Sequence, residues 1–240
     1  MKLVHDAIIE TPCVIKTKNI CRYFGDGETL VRAVDHVTIE IKAGEFTAII
    51  GPSGSGKSTL LHLIGGLDNP TSGTAELAGE DIAAMNGNQL SDFRRDHIGF
   101  IFQAYNLIPV LSAEENIEYV MLLQGLDAAT RKHRVTEMLD MVGLQGMANR
   151  RPAQLSGGQQ QRVAVARAMA SHPDIILADE PTANLDSKNG IALLDVMKEL
   201  NETQNMTFVF STHDERIMAR ATRLIYMEDG AVVKDEIQTP

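Results

Sequence analysis

Eight consecutive residues, Gly51-Pro52-Ser53-Gly54-Ser55-Gly56-Lys57-Ser58, fit the pattern G-x-x-x-x-G-K-[ST]. Glycines let backbone N–H groups turn inward around phosphate oxygens, and a helix starting at the lysine adds the positive end of its dipole. On this reading Lys57 reaches the β- and γ-phosphates of a nucleotide and the Ser58 hydroxyl ligates Mg²⁺. Gly51, Ser53, Gly54, Ser55, Gly56 and Thr59 complete the phosphate-binding set. A plain glycine turn before a helix leaves the Gly-Lys-Ser ending unexplained. Further along, Asp179-Glu180 ends the apolar run 175–178, where an α/β sheet presents groups to a ligand beyond its strand ends. Two acids there could simply cap the next helix. Beside a phosphate loop, Asp179 is expected to support the Mg²⁺ shell and Glu180 to position or deprotonate an attacking water. A glutamate is a weak base in open water, so placement and exclusion of bulk solvent must assist it. Ser156-Gly157-Gly158-Gln159 makes a second anion-binding helix start from one hydroxyl and the N–H groups of two glycines.

These groups need elements to hold them. Residues 46–50 form an apolar run feeding directly into Gly51, and 57–64 carry a helical pattern stopped by Gly65-Gly66, so the phosphate loop lies between strand and helix. The first forty residues alternate in strand fashion, most clearly Val37, Ile39 and Ile41 with Thr38 and Glu40 between, which predicts a half-exposed antiparallel sheet. Residues 98–102 read as a buried strand. Ser112 with Glu115, and Ser156 with Gln159, are capping boxes, predicting helices over about 112–142 and 163–170. The apolar runs 175–178 and 207–210 lie between helical patterns, as in a parallel sheet covered on both faces. The expected fold is therefore α/β: an N-terminal antiparallel β part, a parallel core, and an inserted α-helical lobe. The expected division is about 1–103 and 160–240 for the core with its β part, and about 104–159 for the lobe, within one domain of 1–240.

Composition bounds the function. The 240 residues are 44% hydrophobic and 22% charged, an ordinary globular balance, and the apolar runs are strand-sized rather than the roughly 20 residues of a membrane helix. Residues 1–10 lack the charged start and long apolar stretch of a signal peptide, which predicts a cytoplasmic chain. Cys13 and Cys21 have neither a C-x-x-C spacing nor a His partner in the sequence pattern, which argues against a disulfide or zinc framework, and both read as reduced core or strand residues. The net charge of −10 argues against a nucleic-acid partner, because such binding draws on clustered Lys and Arg. Arg94-Arg95 and Arg150-Arg151 are short pairs, better read as helix faces or ends.

Leu155-Ser156-Gly157-Gly158-Gln159, lying between the phosphate loop and Asp179, resembles the signature motif of the ABC ATPase family. The resemblance extends over essentially the whole chain and implies a P-loop NTPase (RecA-like) core with ATP and Mg²⁺ as ligands. In that family the signature closes over ATP held by an opposing subunit. By the same resemblance, Tyr23, some 28 residues before Gly51, is the aromatic that stacks on adenine. Gln103 is the Q-loop glutamine that touches nucleotide and metal. Asn184-Leu185-Asp186 is similar to the D-loop along the dimer seam, and His213, some 33 residues after Glu180, is the switch histidine. The implied catalytic set is Lys57, Gln103, Glu180 and His213, with Ser58, Gln103 and Asp179 toward the metal.

Gly99-Phe100-Ile101-Phe102-Gln103, Asn106-Leu107-Ile108-Pro109 and the glutamine-rich stretch after Leu155 resemble the branch of macrolide exporters, lipoprotein-releasing systems and cell-division FtsE-type subunits. Ala183, where that branch often carries Gly, is a departure. The branch implies a second copy as partner, an integral-membrane permease, an extracytoplasmic or periplasmic adaptor reached through it, and a peripheral position on the cytoplasmic face of the membrane. Export or mechanotransmission is the expected work; a soluble ABC ATPase or an FtsE-like regulator without translocation is the alternative. Residues 104–111 are more apolar than a free loop needs. They read either as part of a groove for a permease helix or as a buried loop on the helical lobe.

Overall fold

The computed structural model describes residues 11–238; the signal-peptide reading of residues 1–10 falls outside them. In chain order the elements are β1 (Cys13–Phe24), β2 (Val31–Val37), β3 (Glu40–Lys42), β4 (Phe46–Ile50), α1 (Lys57–Ile64), β5 (Ser72–Leu77) and β6 (Glu80–Asp81). They continue as α2 (Gly87–His97), β7 (Ile98–Ile101), α3 (Ala113–Leu123), α4 (Ala128–Met141), α5 (Gly157–Ala170) and β8 (Ile175–Asp179). The last are α6 (Ser187–Gln204), β9 (Thr207–Thr212), α7 (Glu215–Met218), β10 (Arg223–Glu228) and β11 (Ala231–Ile237).

The first part is an antiparallel sheet ordered β2-β1-β5-β6, with β3 also paired to β1. Val37, Ile39 and Ile41 all face inward, as the alternation predicts, although the ladder breaks between β2 and β3. The second part is a six-stranded sheet ordered β11-β10-β4-β9-β8-β7, parallel except for the β10–β11 hairpin. Strands β4 and β9 are buried along their whole length, which is why they read as unbroken apolar runs. The register pairs Ile49 and Asp179 with the same residue, Ser211. The carboxyl ends of β4, β8 and β9 therefore finish side by side, and the segments that follow them emerge at one edge.

Sequence periodicity misses α2, whose only bulky apolar residues are Leu90 and Phe93 in an otherwise polar segment. Its start is nonetheless written in side chains: Asn86 and Gln89 form a capping box. The expected boxes at Ser112–Glu115 and Ser156–Gln159 are both present. Helix α5 lays buried Val163, Ala166 and Ala168 into the core, and Gly99 on β7 permits the approach, since a Cβ there would collide with the Ala168 carbonyl. Because α5 runs unbroken from Gly157 to Ala170, the 159/160 division lies inside one helix.

Candidate active site

Strand β4 delivers the chain into a loop whose glycines do specific steric work. A Cβ at Gly51 would meet the Met227 carbonyl and one at Gly56 the Ala33 carbonyl, and both residues have positive φ. The loop curls round the start of α1 at the head of a cleft of about 980 Å³ lined by Gly51, Pro52, Ser53, Gly54, Gly56, Lys57, Ser58, Thr59, Gln103, Glu180 and His213. Buried Lys57 donates from Nζ to the carbonyls of Gly51 and Pro52, both at 2.8 Å, which holds its charge inside the loop. The Ser55 Oγ is buried and has no partner among the described residues. Ser55 is not part of the cleft lining; what the lining offers phosphate oxygens is the glycine-loop backbone N–H groups with Lys57 and Ser58.

The Ser58 Oγ donates to Asp179 Oδ1 at 2.8 Å and lies 3.5 Å from the Ser211 Oγ. All are hard oxygen donors, the set that suits a magnesium ion keeping several of its own waters. One residue on, Glu180 has φ 45°, a left-handed conformation that costs a non-glycine residue about 1–3 kcal/mol. Its N–H donates to the Ser211 carbonyl at 2.9 Å, and its carboxylate accepts from Thr212 Oγ1 at 3.2 Å and lies 2.7 Å from His213 Nδ1. The Glu180 side chain is 15% exposed and that of His213 76%, so the pair spans from the cleft wall to its mouth.

Asp214 fixes the segment behind His213. It accepts from the Arg216 N–H at 2.8 Å and from Thr182 Oγ1 at 2.5 Å, and it is paired with the Arg216 guanidinium. Burial alone would raise its pKa, but the hydrogen bonds from Arg216 and Thr182 outweigh it and hold the carboxyl at about 2. Ser211, Thr212, Thr182 and Asp214 were not singled out from sequence; the hydroxyl-rich end of β9, immediately before His213, was the available signal.

Other expected residues stand away from this cleft. Tyr23 does not line it: its hydroxyl donates to Asp35 Oδ1 at 2.5 Å, which raises its pKa, and the Arg32 guanidinium sits 5.7 Å from its ring centroid. The next residue, Phe24, is also outside the lining and has the Arg22 guanidinium 4.5 Å from its ring centroid, but it is 42% exposed and pairs across the ladder with Val31, which does line the cleft. Ser156 caps its own helix, accepting from Gln159 N at 3.3 Å, while Gln159 Oε1 accepts from Ser156 N at 2.9 Å. The Tyr105 hydroxyl overlies Gly157, and Asn189 lies against Gly158. Asp186 caps α6 and is held ionised by hydrogen bonds from Asn189. None of Ser156, Gly157, Gly158, Gln159 or Asp186 reaches the cleft of its own chain.

Gln103 is tied in from behind, its carbonyl accepting from Asn184 Nδ2 at 2.8 Å. Beyond it Tyr105 and Asn106 both have positive φ, and their carbonyls accept from the Arg167 guanidinium at 2.9 and 2.5 Å. Burial lowers the pKa of Arg167. Of the apolar stretch 104–111, Leu107 packs against the core, whereas Val110 is 70% exposed; on α3, Tyr119, Leu122 and Leu123, spaced to share one helix face, are exposed as well. Among the described residues no helix is long and apolar enough to cross a membrane.

Comparison with known proteins agrees with this geometry. Residues 34–183 match the family model described as ABC transporter. The chain is 45% identical over 227 residues to the uncharacterized ABC transporter ATP-binding protein MJ0796 of Methanocaldococcus jannaschii, covering 93% of this chain and 97% of that one. It is likewise 45% identical over 225 residues to the macrolide export ATP-binding/permease protein MacB of Hyphomonas neptunium, but there it spans only 35% of the relative's length. A solved structure described as a dimeric post-hydrolysis state of the ATP-binding cassette MJ0796 bound to ADP and Pi superposes with a TM-score of 0.88 at 44% identity, covering 94% of this chain and 99% of that one. A strand-held phosphate loop, its paired carboxylates and this likeness along the chain agree: the chain belongs to the ABC transporter family, as one of its ATP-hydrolysing cassettes.

Proposed function

We propose that two copies of this chain face each other head to tail and enclose two ATP molecules. Each ATP lies between the phosphate loop of one copy and Ser156, Gly157, Gly158 and Gln159 of the other. The observation that carries this reading is the separation within one chain: two anion-binding helix starts exist, and only one opens into the cleft. Asp186 at the head of α6 joins the seam in this reading.

Within each site Lys57 and the loop N–H groups neutralise the triphosphate. Ser58, Asp179 and Gln103 hold Mg²⁺, which when bound offsets charge on the phosphates. Glu180 orients and deprotonates the attacking water, and His213, 2.7 Å from it, aligns that carboxylate and senses the γ-phosphate. Catalysis is mostly positioning and charge neutralisation, as expected for phosphoryl transfer. We assign the adenine platform to Phe24 in place of Tyr23, because Tyr23 is committed to Asp35 while Phe24 presents an exposed ring on the face of Val31.

Residues of about 104–159 act as a helical lobe that α5 joins continuously to the core of about 1–103 and 160–240. The exposed apolar face of α3 formed by Tyr119, Leu122 and Leu123 receives an integral-membrane permease, which would hold the chain at the cytoplasmic face of the membrane. Export or mechanotransmission is the favoured work, with an extracytoplasmic adaptor engaged through the permease. The deciding experiment is ATPase turnover against protein concentration, beside Glu180→Gln sized in ATP and Mg²⁺. Supralinear turnover, with the variant trapped as a dimer and slowed about 10²–10⁴-fold, is expected. Turnover linear in concentration with no ATP-dependent dimer sinks the shared-site reading.

A further inference from the structure

Behind the adenine side of the cleft, the β1–β2 hairpin brings three metal-ligating side chains together that the ATPase chemistry leaves unused. Cys21 Sγ, Asp35 Oδ1 and a ring nitrogen of His36 all lie within 4.8 Å of one another. Sequence spacing gives no hint of it, since Asp35 and His36 are neighbours and would point to opposite faces of a regular strand. The backbone resolves this: His36 takes φ 52°, and its Nδ1 turns back to 2.7 Å from Asp35 Oδ1. On the partner strand the register shifts on either side of Arg22, and the Cys21 Sγ accepts from the His36 N–H at 3.2 Å.

We infer that Cys21, Asp35 and His36 form a binding site for a single zinc-class transition-metal ion. One sulfur, one imidazole nitrogen and one carboxylate oxygen are a borderline-soft donor set with three protein ligands and room for a water, which suits Zn²⁺ and disfavours Mg²⁺ or Ca²⁺. A tetrahedral zinc with bonds of about 2.0–2.3 Å places its ligand atoms roughly 3.3–3.6 Å apart. From the present cluster the Asp35–His36 pair, 2.7 Å apart, must spread by under about 1 Å, and the Cys21 Sγ, within 4.8 Å of both, must settle at the same spacing. Exposure rises across the cluster: Cys21 is 1% exposed, the Asp35 side chain 24%, and the His36 side chain 69%. Binding releases the Cys21 thiol proton to solvent and forms the metal–thiolate bond, with no redox change. Tyr23, which donates to Asp35 Oδ1, becomes the outer partner that orients the carboxylate. The Asp35 N–H donates to the Gly230 carbonyl, and the Gly230 N–H donates to the carbonyl of Ser55, so the site adjoins the wall of the phosphate loop.

The test titrates the full, nucleotide-free chain with cobalt(II) chloride and reads the near-ultraviolet thiolate-to-cobalt charge-transfer band. The only thiols in the chain are Cys13 and Cys21, so the band identifies its ligand. One cobalt per chain, a band retained in Cys13→Ser and lost in Cys21→Ser, and displacement by zinc(II) chloride are expected. His36→Asn, which tolerates the positive φ and sits at the surface, should weaken cobalt about tenfold or more and decides the matter if Cys21→Ser fails to fold. No band, a band that follows Cys13, or unchanged affinity in His36→Asn overturns the proposal.

Discussion

Glu180 carries the proposed chemistry from a left-handed backbone position, and the reason lies in its neighbours. Its N–H is held by Ser211, and its carboxylate by Thr212 and His213, so the strained residue is fixed from three sides. Asp214 then anchors the stretch that carries His213. Its folded pKa of about 2 lies below the ordinary 3.8, so its contribution to stability is present above about pH 4 and fades as pH falls toward 2. Asp214→Asn should therefore lower the thermal midpoint at neutral pH, and the gap from wild type should close between pH 4 and 2. A gap constant across that range would refute the assignment. At the adenine side, stacking contributes about 1–3 kcal/mol per base, so Phe24→Ala should raise the Kd for ATP about fivefold or more while Tyr23→Phe leaves it nearly unchanged. Equilibrium nucleotide titration distinguishes the two rings.

At the scale of elements, α5 links the parts that the sequence reading separated. Its first turn carries Ser156 of the proposed anion site, its middle packs on β7 over Gly99, and Arg167 near its end clamps the carbonyls of Tyr105 and Asn106. In the proposed dimer, α5 and Arg167 therefore connect the Ser156 helix start to the segment leaving Gln103. Arg167→Ala leaves two carbonyls in left-handed residues without their donor, a loss of about 1–3 kcal/mol in local stability. Hydrogen exchange at the Tyr105 and Asn106 amides should accelerate about fivefold or more, with distant strands unaffected. Unchanged protection there would mean that the loop holds its shape without the clamp.

For the whole molecule, the exposed apolar residues of α3 take no part in the lining of the candidate active-site cleft, which allows the two to be tested apart. Leu122→Asp should leave basal ATPase within about twofold, as surface changes rarely cost more than ±0.5 kcal/mol, while abolishing stimulation by a reconstituted permease. Retained stimulation would move the docking surface elsewhere. Tyr105 and Leu107, by contrast, are occupied inside the chain, over Gly157 and against the core, so residues 104–111 divide between a packed loop and an exposed face.

Much of the active site could be read directly from residue order because its parts are local. A glycine loop before a helix, acids at the end of an apolar strand, and a serine-started helix each state their chemistry within a few positions, and the parallel core shows as unbroken apolar runs. What tertiary structure decided is everything that depends on register between distant strands. The alignment of β4, β8 and β9 through Ser211 sets Ser58 on Asp179, 121 positions away in sequence. Bulges in β1 and the turned-back His36 determine which aromatic shares a face with Val31 and which side chains cluster at the hairpin. The polar helix α2 escaped notice because two apolar anchors carry too little periodic signal, whereas packing needs only those two. Periodicity reports which face of an element is buried; only the folded chain reports what that face, or the opposite one, meets.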